Sequence, residues 1–175
     1  MDNNFSVGYK ELIAKSREVA LDLGYDYISS IHFLIADYEL NDADIGVSFW
    51  FKNKEAFEDF KNVQRLVQNG EKQNFDNVSL PLTKEAEITI RLSIEEVKMQ
   101  KHDVVYSWHF FIAALKNETS LIFELFKEDE FSLANLVKYY NSFIKAHYNT
   151  YYAQKDFTEF KAKPSFLNRI KNLFQ

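Results

Sequence analysis

An all-α fold is what this sequence predicts, and three observations carry the prediction. The chain has 175 residues but only 4 Gly and 2 Pro, too few for a β-sandwich or barrel, which needs turn residues about every 8–12 positions. Apolar residues recur with helical spacing along most of its length. Finally, a shift of 77 lays residues 5–36 over 82–113 without a gap, and nine of those 32 positions are identical, where average residue usage gives roughly two. The identities are Ile13/Ile90, Ser16/Ser93, Glu18/Glu95, Asp26/Asp103, Ser30/Ser107, His32/His109, Phe33/Phe110, Ile35/Ile112 and Ala36/Ala113. A period this long with two copies is a duplication inside one compact domain, not a solenoid.

Each copy opens on a helix. Ser6 and Thr83 stand where N-caps belong, each behind an apolar residue, Phe5 or Leu82, placed to pack on the first turn. Tyr9, Leu12, Ile13, Ala20 and Leu23 keep a 3.6-residue period in the first copy, as do Ala86, Ile90, Ile94 and Val97 in the second. A polar break follows, Gly24-Tyr25-Asp26 or Lys101-His102-Asp103. Ser30 and Ser107 then read as caps of a shorter, almost uniformly apolar helix, His32-Phe33-Leu34-Ile35-Ala36 and His109-Phe110-Phe111-Ile112-Ala113, a pattern that belongs in a core. Ala56, Phe60, Val63 and Val67 predict a further helix in copy one, and Leu133 to Tyr148 one in copy two. Asn69-Gly70 reads as a helix stop and 71–81 as the linker, so the repeats run over about 5–70 and 82–148 of a domain spanning 1–150. Between Asn41 and Lys54 the apolar run Ile45 to Phe51 reads as a strand-like or irregular insert.

Composition removes several function classes. The net charge of −5 disfavours nucleic-acid backbones. With no Cys there is no thiol nucleophile or thiolate metal site. No apolar stretch is long enough to span a membrane, and the polar start Met1-Asp2-Asn3-Asn4 lacks signal-peptide character, so a cytoplasmic location is expected. His32 and His109 are repeat equivalents at helix starts, which points to a structural hydrogen bond; no His has convergent partners at metal-ligand spacing, and no metal or cofactor is expected. The acidic clusters Glu95-Glu96 and Glu128-Asp129-Glu130 are contiguous and read as solvated surface rather than paired catalytic carboxylates. No Gly-x-Ser-x-Gly elbow is present. An enzyme is not expected.

The stretches Leu23-Gly24-Tyr25-Asp26-Tyr27-Ile28-Ser29-Ser30-Ile31-His32-Phe33-Leu34 and Val105-Tyr106-Ser107-Trp108-His109-Phe110-Phe111, repeated behind a capped helix, resemble the Clp ATPase N-terminal domain. That pattern has Thr-Glu-His-Leu-Leu opening a buried helix in both copies. The resemblance covers roughly residues 5–145. It implies a pseudo-twofold bundle of two roughly four-helix repeats that binds adaptor or substrate segments ahead of an AAA+ ring. The sequence has no Gly-x-x-x-x-Gly-Lys-Ser/Thr phosphate loop, so the expectation is a non-catalytic recognition module standing apart from the ring, with a piece of a longer unfoldase as the alternative.

Two departures shape the expected ligand. The family's Glu is Ile31 in copy one and Trp108 in copy two; neither accepts hydrogen bonds from a guanidinium, so no phosphoarginine binding is expected. The family's groove for peptide segments carries over to Ser6, Thr83, Ile90 and Leu92, with Trp108 and His109 at the neighbouring turn, an apolar anchor for a peptide face. The competing reading makes Ile90 core and Trp108 a lid on the interior. The implied partner is a protein or peptide: a substrate, an adaptor, or a Clp-type or secretion-system unfoldase that this protein serves.

Residues 151–175 form an extension outside the family pattern. Phe166, Leu167, Ile170, Leu173 and Phe174 line one face of a short helix opening at Pro164, with Arg169 and Lys171 opposite. That face packs back on the domain, docks on a partner, or lies on an anionic membrane. Docking would also suit the alternative function, a structural subunit that oligomerises through its aromatic surface and C-terminal helix.

Overall fold

In a computed structural model, the protein is described over residues 5–40, 54–68, 79–100 and 102–127. All of these lie in one compact unit, Met1–Asp129; a second unit is Glu130–Gln175. Six helices and no named strand occur among the described residues: α1 Val7–Asp22, α2 Ser30–Leu40, α3 Lys54–Val67, α4 Lys84–Gln100, α5 Ser107–Lys116 and α6 Leu121–Phe126. The all-α prediction holds. The insert at 41–53, the Asn69-Gly70 stop, the helix from Leu133 and the C-terminal helix fall outside the described residues.

The helix starts keep the sequence repeat: Val7 and Lys84 begin α1 and α4, and Ser30 and Ser107 begin α2 and α5. Ser6 caps α1 by accepting from the Tyr9 N–H at 3.1 Å, and Thr83 accepts from the Ala86 N–H at 3.3 Å, each satisfying a donor that the helix itself cannot. Phe5 stacks on Tyr9, ring centroids 5.0 Å apart.

The two copies are tied together crosswise. Phe5 pairs with Val105 and Leu82 with Ile28, both in parallel bridges. Ser6 N–H donates to Val105 O at 2.9 Å, and Thr83 N–H donates to Ile28 O at 2.8 Å. Each bond maps onto the other under the 77-residue shift, so each copy's opening residues are held by the residues that precede the second helix of the other copy.

The core fills the space between these ties. Tyr9, Leu12, Phe33, Leu34, Ile35, Phe110, Phe111 and Ile122 are all essentially without solvent exposure. Repeat equivalents Phe33 and Phe110 stack on each other at 4.4 Å, and Tyr9 meets the edge of Phe110 at 6.5 Å. Ser93 Oγ donates to the Ile90 carbonyl at 2.7 Å, which leaves it to accept from the Tyr9 hydroxyl at 3.2 Å. Burial pushes that hydroxyl up to about 12. Ser16 makes the matching bond to Ile13 O at 2.8 Å. At the far end, buried Asn117 donates to Thr89 Oγ1 at 3.0 Å and fastens α4 to the turn between α5 and α6.

The helix read from Ala56, Phe60, Val63 and Val67 is α3, and its buried residue is Phe57, stacked on Tyr38. Val63, Leu66 and Val67 are exposed by 53%, 76% and 67%. The reason is polar anchoring on the other face: Lys61 bonds Glu39, Arg65 reaches Asp22 at 3.3 Å, and the Tyr25 hydroxyl donates to Gln64 O at 3.1 Å.

Candidate functional site

Two corners of the bundle, related by the repeat, contain Ser6, Thr83, Trp108 and His109 of the predicted groove; Phe166, Leu167, Ile170, Leu173 and Phe174 lie outside the described residues. The first gathers Thr83 and the start of α4 around the start of α2; the second gathers Ser6 and the start of α1 around the start of α5. Ser6, Trp108 and His109 therefore belong to one corner and Thr83 to the other. Ile90 and Leu92 are half-buried along α4. His109 is buried outright, so its side chain supports the corner and does not line its surface.

Ser30 and Ser107, read from sequence as caps, are instead the first helical residues of α2 and α5. The capping is done by histidine. His32 Nδ1 accepts from the Ser29 N–H at 2.9 Å, and His109 Nδ1 accepts from the Tyr106 N–H at 2.9 Å. Each imidazole thus fills the role that Glu or Gln plays at the third helical position of a capping box. This supplies the structural hydrogen bond expected for both His residues.

That bond also fixes the proton. With Nδ1 accepting, neutral His109 carries its hydrogen on Nε2 and donates to His102 Nδ1 at 3.0 Å. Burial, with His102 close by, holds His109 down at about 3, and burial holds His32 at about 4. His102 is lowered too, mainly by burial and against the pull of Asp103. Trp108 stacks on His109 at 3.6 Å and meets His102 edge-on at 5.6 Å. The indole is consequently fixed on a rigid imidazole floor while remaining partly exposed.

The positions where the resemblance expects Glu have unlike surroundings. Ile31 is 7% exposed and joins the core, whereas Trp108 is only half-buried, at the corner where Val105 pairs with Phe5 ahead of α1. The corners differ at one further pair. Glu85 Oε1 accepts from the Ser30 N–H at 2.8 Å and from the Thr83 hydroxyl at 2.9 Å; its repeat equivalent is Gly8. Sequence reading missed this contact because its partners are 55 residues apart. The repeat alignment that sets Glu85 against Gly8 was the available signal. Among the described residues no group of three His, Asp or Glu is placed to hold a metal, and no helix is long and apolar enough to cross a membrane.

Several solved structures match this arrangement. The N-terminal domain of the chaperone ClpD from Arabidopsis thaliana aligns with a TM-score of 0.61 at 12% identity, covering 81% of this chain and 95% of that one. The fold is that of a Clp/Hsp104 N-terminal domain. The Hsp104 N-terminal domain from Candida albicans aligns at 0.55 with 18% identity, over 78% of this chain and 89% of that one. A protein from a malarial protein secretion system aligns at 0.56 with 19% identity, over 82% and 97%. No protein-family model and no curated protein sequence matches the protein. At these identities the likeness speaks for the Clp N-domain fold alone.

Proposed function

We propose that this Clp-N-like domain is a non-catalytic, cytoplasmic protein-binding module that receives a polypeptide segment at the corner formed by the starts of α1 and α5. The observation that carries this reading is Trp108: a large, half-buried aromatic stacked on His109 at 3.6 Å, on the helix whose preceding residue Val105 pairs with Phe5 ahead of α1. Rigid aromatic anchors lose little entropy on binding and dominate interface energetics. The partner is a substrate, an adaptor or an unfoldase of Clp or secretion-system type. Thr83, Ile90 and Leu92 extend the groove in this reading, and Phe166, Leu167, Ile170, Leu173 and Phe174 give a second docking element.

Affinity capture from lysate with wild type, Trp108→Ala and Leu92→Asp tests it. Loss of the same captured proteins from both variants, with unchanged helical circular dichroism, is the expected result; identical capture by all three removes the groove. Phosphoarginine binding is not expected, since Ile31 and Trp108 accept no guanidinium hydrogen bonds, and saturable calorimetric binding of the free amino acid would reverse that statement.

A second reading, an assembly subunit that oligomerises, is favoured by the exposed Val63, Leu66 and Val67 of α3. Sizing chromatography of Leu66→Glu, and of a variant lacking 161–175, separates the two. A drop in oligomeric state supports assembly, and a monomer throughout excludes it.

A further inference from the structure

The two histidine caps differ in what lies on the far side of the ring. Under the 77-residue shift, Tyr25 stands behind His32 where His102 stands behind His109. The Tyr25 ring meets His32 at 4.5 Å and an interplanar angle of 70°, and its hydroxyl donates to the Gln64 carbonyl at 3.1 Å. Neither group changes charge near neutral pH: burial holds His32 at about 4 and pushes the Tyr25 hydroxyl above its ordinary 10. In the other corner the place of that phenol is taken by a second imidazole.

His109 donates through Nε2, because its Nδ1 accepts from the Tyr106 N–H at 2.9 Å. The hydrogen goes to His102 Nδ1 at 3.0 Å, which requires His102 to be neutral with its own hydrogen on Nε2. A proton added to His102 lands on Nδ1 and sets two N–H groups against each other. His109 cannot relieve this by moving its hydrogen to Nδ1, since the helix cap would be lost. Relief falls to the half-buried His102 side chain, whose backbone N–H is held by the Val97 carbonyl at 3.0 Å. Among the described residues, Asp103 acts on His102 as a charge and His109 as the other titratable ring. On α4, Glu96 is engaged by Lys116 at 2.6 Å and Lys98 is exposed.

We propose that His102 is a proton-operated latch on Trp108, acting through His109 as a positioning residue. Neutral His102 bonds His109 and stands beside the indole, 5.6 Å away at 77°, while the indole lies on His109 at 3.6 Å. Protonated His102 loses that bond and turns away, and the indole loses one of the rings that hold it. Burial lowers His102 from its ordinary 6.5 against the pull of Asp103, so the latch opens on the acid side of that value. The α5 corner presents a fixed aromatic anchor at neutral pH and a loose one in acid; the α2 corner, with Tyr25 in that place, carries no titrating acceptor. The latch stands on the ring geometry, and its effect on a bound polypeptide rests on the function proposed above.

Nuclear magnetic resonance of the 15N-labelled full-length protein tests the latch, titrated from about pH 8 to about pH 5 while circular dichroism follows the helices. At the alkaline end both His102 and His109 should report the Nε2–H tautomer. The Trp108 indole and backbone N–H signals should then titrate with one midpoint below 6.5, shared with the His102 ring. His102→Asn keeps an acceptor in the place of Nδ1 but takes up no proton, and should hold the Trp108 signals at their alkaline positions throughout. Asp103→Asn should move the midpoint down, since the carboxylate that raises it is gone. Trp108 signals that stay still in the wild type, or that titrate equally in His102→Asn, overturn the proposal. Affinity capture from lysate at the two ends of the range then reads the consequence: wild type should lose captured proteins in acid, and His102→Asn should not. Equal wild-type capture at both ends removes the control over binding. If the signals titrate as expected and Trp108→Ala captures the same proteins as wild type at the alkaline end, the latch stands and the binding function at this corner fails.

Discussion

The corner at the start of α2 and the corner at the start of α5 descend from one sequence unit, yet one is closed and the other open. In the closed corner Ile31 is buried and Glu85 bonds the helix start. In the open corner Trp108 is partly exposed and Gly8 contributes no side chain. The supporting bonds are nevertheless the same in both: the crosswise backbone ties and the His–backbone cap. The frame is common to both, and the corners differ at Ile31/Trp108 and Glu85/Gly8. A frame held twice over can tolerate a corner whose polar groups are left to solvent, because stability comes from the shared core and not from that corner.

The largest expected effect tests whether the core is shared. Phe33→Ala and Phe110→Ala each remove a fully buried ring stacked on the other, and each should cost about 3–5 kcal/mol in denaturant unfolding. Because the rings touch, the double variant should cost less than the sum; full additivity would mean two independent half-cores.

The His caps come next. Both imidazoles lie below the ordinary value of 6.5 in the folded protein, His32 at about 4 and His109 at about 3. The unfolded state therefore binds protons that the folded one refuses. Stability is fully present above pH 6.5 and falls as pH drops from 6.5 toward 4, by about 3 kcal/mol for His32 alone. His32→Gln and His109→Gln should each flatten the melting-temperature profile across that window. The closed and open corners are alike in this respect if the two variants flatten it together.

The smallest effect lies at the position where the corners differ most. Glu85→Ala leaves the Ser30 N–H without its acceptor and should destabilise by about 1–2 kcal/mol. Gly8→Ala, at the equivalent position, should stabilise by about 0.5 kcal/mol through helix propensity, since its Cβ meets nothing. Thermal unfolding of the pair checks the opposite signs, and equal signs would remove the contrast between a closed and an open corner.

Local patterns made much of this readable in advance. Ser6 and Thr83 were legible as caps because an N-cap is a contact across three residues. The apolar runs at Phe33 and Phe110 were legible as core because they are apolar all round. His109 was legible as a structural hydrogen-bonding residue from its repeat equivalence with His32, but its full burial was not, since a His at a helix start looks the same in sequence whether it faces solvent or the interior. Val63 and Val67 were legible as helical, but amphipathic spacing shows that a helix has an apolar face, not whether a neighbour covers it.

The sequence by itself determined the helices, the Ser6 and Thr83 caps and the duplication, all of which arise from short-range backbone chemistry repeated at a fixed interval. Only the tertiary structure decided that the copies hold each other crosswise, that Glu85 seals one corner, and that Gly8 leaves the other open. Those outcomes depend on which residues 55 to 100 positions apart are brought within a hydrogen bond of each other, and the cost and reward of such encounters are set by tertiary packing that no local pattern encodes.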